Sequence, residues 1–145
     1  YQSRLLQMTT DRRLVAVDIE STGDSVRIGA MREICRTNAA STLRAWDVVH
    51  GTDTLSKTGE VLHRELGDIE IPVILTGAMK PYEFRDTDGL QNVTEALIAA
   101  RLLDGGVYAV MHNRVLQFPN VTKDRDRLTF IDRPGPWSGD ADHED

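Results

Sequence analysis

The chain has one cysteine, Cys35, in 145 residues. A single thiol excludes an internal disulfide, so no disulfide framework can substitute for a hydrophobic core. That absence agrees with a reducing compartment. The opening Tyr1-Gln2-Ser3-Arg4-Leu5-Leu6 carries no signal-peptide pattern, and the expected location is the cytoplasm. No apolar run approaches the roughly 20 residues that a membrane span requires, so a membrane is not expected as a partner. Basic residues are too few for a nucleic-acid binder: 17 Lys and Arg stand against 23 Asp and Glu, for a net charge of −6. Gly-x-Gly-x-x-Gly and Walker-type loops are both missing, which removes the usual phosphate cradles. His63 and His112 lack a metal-like spacing with cysteine or carboxylates. They read as surface or structural residues, and neither a metal nor a cofactor is expected. No internal repeat is visible.

What is present is an alternation of short apolar runs with helical patterns. Leu14 to Ile19, Trp46 to Val49, Ile71 to Leu75, Val107 to Met111 and Arg114 to Phe118 read as strands. Pro72 suits the first residues of its strand. Val26 to Arg36 has helical spacing, with Ile28, Met31, Ile34 and Cys35 on one side. Thr54 to Leu66 is a second helix, with Leu55, Leu62 and Leu66 inward and Gly67 ending it. Gly89 to Leu103 is a third, with Val93, Leu97, Ala100 and Leu103 inward. Strands alternating with helices imply βαβ units, hence an α/β domain with a mainly parallel sheet covered on both faces. The domain is expected over 1–132. The remaining 133–145, with Arg133-Pro134-Gly135-Pro136-Trp137 and an acidic end, reads as a flexible tail.

Ligands of open α/β sheets bind beyond the carboxyl ends of the strands. Three strands here end in polar, glycine-containing loops: Glu20 to Ser25, Gly51 to Thr54 and Gly77 to Asp88. The densest is His50-Gly51-Thr52-Asp53-Thr54, which supplies two hydroxyls and a carboxylate beside a glycine that lets a ligand come close. Its bland reading is a strand end followed by an Asp/Thr helix cap. Lys123, in the run Lys123-Asp124-Arg125-Asp126-Arg127, reads on residue types alone as a solvated charge.

Taken in order, His50-Gly51-Thr52-Asp53-Thr54, Thr76-Gly77-Ala78-Met79-Lys80-Pro81, Arg85-Asp86-Thr87-Asp88-Gly89 with Asn92, and Asn120-Val121-Thr122-Lys123 resemble the N-terminal domain of the bacterial-type L-asparaginases. The resemblance spans roughly Ile19 to Lys123. It implies a flavodoxin-like or Rossmann-like three-layer sandwich. It also implies hydrolysis of L-asparagine to L-aspartate and ammonia through a threonine acyl-enzyme, with L-glutamine as the other candidate substrate. The resemblance implies chemistry by two threonines, an aspartate and a lysine; by motif Thr52 matches the second threonine, Asp53 the aspartate and Lys123 the lysine. Ser25 matches a serine that binds the substrate carboxylate, and Gly51 and Ala78 match positions lining the pocket. Asp88 lies in the matching acidic-glycine segment and is given no chemical step. His50 is taken as a packing and hydrogen-bonding residue rather than the catalytic base. A homodimer or higher homo-oligomer is the implied assembly.

A free threonine hydroxyl is a poor nucleophile and needs a base within reach. Lys123 paired with Asp53 would be a charged orienter. Having lost its proton, it would be a base for Thr52. Burial lowers a lysine pKa and a carboxylate partner raises it.

The resemblance has two departures. The family's first threonine lies in a TGGTI-like segment that this sequence does not contain, and Thr9 and Thr10 lack its flanking glycines. The expectation is therefore a fragment lacking the first strand and the primary nucleophile. The short tail suits a single-domain form of the family. Three alternatives follow: an active amidohydrolase, a catalytically silent domain that binds aspartate or asparagine, and the related tRNA-dependent amidotransferase subunit.

Overall fold

A computed structural model describes residues 5–6, 14–19, 45–81 and 83–135. A six-stranded sheet is built from β1 (Leu5–Leu6), β2 (Leu14–Ile19), β3 (Ala45–His50), β4 (Pro72–Thr76), β5 (Gly106–Met111) and β6 (Arg114–Gln117), side by side in chain order. β2 to β5 are parallel, and β1 and β6 run antiparallel to their neighbours. Helix α1 (Leu55–Leu66) joins β3 to β4, and α2 (Gly89–Leu102) joins β4 to β5. A separate hairpin, β7 (Val121–Asp124) with β8 (Thr129–Asp132), follows. The helix expected over Val26 to Arg36, Cys35 within it, and Trp137 lie outside the described residues.

The two-residue period of the strands divides the core in two. Trp46, Val48, Val73, Leu75, Val107, Ala109 and Met111 face α1 and pack with Leu55 and Leu62. Ala45, Ile74, Tyr108 and Val110 face the other way, onto Ala96, Ala99 and Ala100 of α2. The connections β3–α1–β4 and β4–α2–β5 step across the sheet in the same direction, yet their helices lie on opposite faces. They therefore have opposite hands, and one of them departs from the right-handed rule that about 98% of such crossovers obey. The consequence for function is that α1, not α2, shares its face with the β7–β8 hairpin, through Val121 and Phe130.

One expectation needs correction. The inward stripe of α2 is Asn92, Ala96, Ala99 and Ala100, with Leu103 packed against the same core; Ala100 and Leu103 thus lie inward as expected, and Val93 and Leu97 do not lead the stripe. Small residues let the helix sit close over Tyr108 and Ile74. Val93, Leu97 and Leu103 are only half-buried, and Leu90, Ile98 and Leu102 face outward. β6, expected as a strand, runs antiparallel to β5. The pair His112 and Asn113, both at positive φ (52° and 61°), turns the chain back on β5. Two left-handed residues make the two-residue turn whose twist suits a hairpin.

Gly59 is where α1 meets the ring of Phe118: an added Cβ would lie 2.0 Å from Phe118 Cζ. Phe118 is fully buried and has no room to yield. Gly59→Ala is expected to cost about 1–3 kcal/mol through overpacking. A urea midpoint unchanged from that of the parent would contradict this contact.

Candidate active site

β3 and β4 are parallel neighbours with Val49 opposite Thr76. Their carboxyl ends therefore open on the same sheet edge, and the loops after His50 and Thr76 are neighbours. The contact is close. A Cβ on Gly77 would fall 2.2 Å from the His50 carbonyl oxygen and 3.3 Å from Thr52 Cγ2. Only glycine fits there, and Thr52 rests against it. Thr54 takes the N-cap position of α1, but its hydroxyl makes no capping bond and is buried without a hydrogen-bond partner among the described residues. The bland alternative, an Asp/Thr helix cap, thus has Thr54 in place without a side-chain capping bond. Asp53, 75% exposed in its side chain, turns to Lys123 of β7 and to Arg125 just beyond that strand instead.

Lys123 sits on β7, opposite Phe130 of β8. Burial of Val121 and Phe130 in the α1-side core fixes the hairpin over the end of β3. Lys123 Nζ then donates to Thr52 Oγ1 at 2.9 Å and to Asp53 Oδ1 at 2.8 Å. The Lys123 side chain is only 14% exposed. Arg125 adds a longer contact, 3.5 Å, to the same Asp53 oxygen. The hydrogen bond from Lys123 and its charge hold the Asp53 carboxyl below its usual range, with a smaller contribution from Arg125 and a small opposition from burial. In this arrangement Lys123 is a donor to both partners. Activating the Thr52 hydroxyl requires the reverse polarity, with a neutral amine accepting the hydroxyl proton.

His50 is buried behind the loop. Its Nδ1–H donates to the Gly51 carbonyl at 2.8 Å, and Nε2 shares a hydrogen bond with the Thr58 hydroxyl at 2.9 Å. It braces the loop against α1. Gly51 itself is exposed, and a Cβ there would enter open space. Ala78 follows Gly77, half-buried, in contact range of Gly89. Ser25 lies outside the described residues. The structure thus brings Thr52, Asp53 and Lys123 together, with Gly51 and the Gly77-Ala78 segment beside them.

A second cluster lies behind that segment. Asp88 accepts from the backbone amides of Met79 (3.1 Å) and Lys80 (2.9 Å), from Asn92 Nδ2 (2.9 Å) and from His112 Nε2 (2.6 Å). Asn92, fully buried, also donates to the Gly77 carbonyl at 2.8 Å and accepts from the His112 amide at 3.2 Å. Burial pushes the Asp88 carboxyl up, but the hydrogen bonds from Lys80, Met79, His112 and Asn92 outweigh it and bring its pKa to about 2. A carboxyl depressed in the folded state adds stability that is complete above its unfolded value, near 4, and is lost as pH falls through about 2. Asp88→Ala is expected to flatten the acid limb of a stability-versus-pH curve below about pH 4. An unchanged limb would contradict the network.

The sequence alone assigns Asp88 no role and puts His112 at the surface or in a structural position. The signal that could have found them is the pair His112-Asn113 between two β-prone runs, which marks a tight turn. Asp47, inside an apolar strand, is a further residue that the sequence does not single out. That carboxylate is 3% exposed, and neither oxygen has a hydrogen-bond partner among the described residues. Burial pushes its pKa up to about 7.

Comparison with known proteins places this geometry in a family context. Residues 15–129 match the family described as Asparaginase, N-terminal. An L-asparaginase from Thermococcus kodakarensis is 34% identical over 76 residues, covering 52% of this chain and 23% of that protein. A glutamyl-tRNA(Gln) amidotransferase component from Methanococcus vannielii is 35% identical over 68 residues, covering 47% and 16%. The matched region is thus less than a quarter of the length of either relative. The solved thermostable L-asparaginase from Thermococcus kodakarensis shares the fold with a TM-score of 0.70 at 24% identity, covering 82% of this chain and 38% of that one.

Proposed function

Because the chain belongs to the asparaginase family, by its match to the N-terminal domain over residues 15–129, we propose that it hydrolyses a side-chain amide, with L-asparagine as substrate and L-aspartate and ammonia as products. The observation that carries this reading is the contact of Lys123 Nζ with both Thr52 Oγ1 and Asp53 Oδ1. Thr52 is the hydroxyl that a lysine amine reaches, and Asp53 fixes the amine from the other side. In the proposed reaction Thr52 stands in for the family's first threonine, whose TGGTI-like segment this sequence does not contain: neutral Lys123 takes the Thr52 proton and the hydroxyl oxygen bonds to the amide carbon. The nitrogen leaves as ammonia with that proton. Water then cleaves the ester and restores the hydroxyl. L-Glutamine is the competing substrate, and one methylene separates the two by only about 1–3 kcal/mol in a pocket.

A second reading is favoured by the similarity to the archaeal amidotransferase component: the same amide chemistry, with the ammonia passed to a partner. A third is a silent domain that binds aspartate. Ammonia release from L-asparagine by the purified chain, beside Thr52→Ala, separates the two amide-cleaving readings from the silent domain. Release that disappears in the variant supports hydrolysis. Saturable L-aspartate binding without release would overturn it in favour of the silent domain.

A further inference from the structure

The segment that supports Thr52 and the hairpin that carries Lys123 are joined twice. The first join is the direct contact of Lys123 with Thr52. The second runs behind it. Gly77 abuts the Thr52 side chain, and the amides of Met79 and Lys80, two and three residues on, are held by Asp88. Asp88 accepts from His112 Nε2 at 2.6 Å, and His112 Nδ1 meets Thr129 Oγ1 at 3.0 Å. Thr129 opens β8, opposite Asp124, one position from the Lys123–Phe130 pair. The contacts close a ring from Thr52 through Gly77, Asp88, His112, Thr129 and Lys123 back to Thr52.

The chemistry of the ring has a direction. Asp88 is an acceptor for all four of its donors, so the proton on His112 lies at Nε2. His112 Nδ1 and the Thr129 hydroxyl share the second hydrogen bond. Thr129 is 8% exposed, so water does not readily replace this bond. His112 reaches both partners from a backbone at φ 52°, a conformation that costs a side-chain-bearing residue roughly 1–2 kcal/mol. The turn is strained where the ring is needed.

We propose that Asp88, His112 and Thr129 form a positioning chain that ties the β7–β8 hairpin to the Gly77–Lys80 segment and so sets the reach of Lys123 Nζ to Thr52 Oγ1. None of the three touches the reacting atoms. Their effect passes through Lys123, and the proposal rests on the hydrolase reading only for its kinetic part.

The test compares Thr129→Val, which keeps the shape and removes the hydroxyl, with Thr129→Ser, which restores it. Two readouts are taken. The first is the ¹H–¹⁵N resonance of the Lys123 ammonium, which its bonds to Thr52 and Asp53 protect from exchange. The second is the steady-state kinetics of L-asparagine hydrolysis. The expected result is loss of the Lys123 resonance in Thr129→Val and its return in Thr129→Ser. The kinetics should show kcat falling by tenfold to about a hundredfold in the valine variant with KM little changed, since small misplacements cost up to about 10²-fold. Asp88→Asn, which removes the carboxylate that accepts from His112 Nε2, should reproduce the loss should Thr129→Val not fold. A Lys123 resonance intact in a folded Thr129→Val or Asp88→Asn protein would overturn the proposal. An inactive parent whose valine and serine variants still differ in that resonance would support the positioning chain and overturn the hydrolase reading.

Discussion

Lys123→Met is expected to lower the rate of L-asparagine hydrolysis by about 10²- to 10⁴-fold, the usual range for losing an acid–base group. The methionine keeps most of the length and apolar bulk of a side chain that its surroundings largely cover. It removes the amine that reaches Thr52 and Asp53. The fall belongs in kcat, because the amine acts on the hydroxyl proton rather than on substrate capture. Asp53, no longer paired with Lys123, keeps among the described residues its longer contact to Arg125 and loses the main cause of its lowered pKa. Michaelis kinetics of the purified variant check this result. A kcat within about threefold of the parent, far short of the loss of an acid–base group, would remove Lys123 from the reaction.

Asp47→Val is expected to stabilise the fold by up to about 4 kcal/mol at neutral pH, on a rise of the carboxyl pKa from 3.8 to about 7. The residue lies in the middle of β3, between Ala16 of β2 and Ile74 of β4, where a β-branched apolar side chain suits the ladder. The sign follows from which state holds the proton. The folded protein keeps Asp47 protonated to higher pH than the unfolded chain does. Stability is therefore fullest below the unfolded value of about 4 and declines as pH rises towards about 7. Valine removes that decline. The gain should be large at about pH 7.5 and small at about pH 4. Urea midpoints of parent and variant at those two pH values measure it, and an equal shift at both would show that ionisation of Asp47 is not the cause.

These two residues also show how far the amino-acid sequence is legible. The apolar runs at 14–19, 46–49, 71–75 and 107–111 announce the four parallel strands, because a buried parallel ladder demands continuous apolar, β-branched chain. The same continuity conceals Asp47, whose neighbours in sequence all point to burial. Thr52 and Asp53 are legible as a polar cluster at a strand end. Lys123 is not: it stands in an alternating charged run, and only the family resemblance singles it out. The hairpin that carries it turns through Arg125 to Leu128 without a glycine, Leu128 taking the positive φ of 51°. Its turn signal is Asp124, whose carboxylate accepts from the Asp126 and Arg127 amides at 3.1 and 3.0 Å, and in an alternating charged run that aspartate does not stand out. Asp88 and His112 are 24 positions apart, and their contact follows from the crossover β4–α2–β5, a property of topology rather than of local pattern.

α2 illustrates a different failure. Its helical period is visible, but large apolar residues occur on more than one side, so the pattern does not choose a face. The choice is made by space above Ile74 and Tyr108, which favours the alanines.

The central claim is that Lys123 acts through Thr52. The measurement that tests it most directly is a double-mutant cycle on the rate of ammonia release from L-asparagine, with Thr52→Ala, Lys123→Met and the two combined. Groups that work as a unit are strongly non-additive. The account predicts that the double variant is no slower than the slower of the two single variants. Losses that multiply in the double variant would show that Lys123 and Thr52 act independently, and would contradict the account.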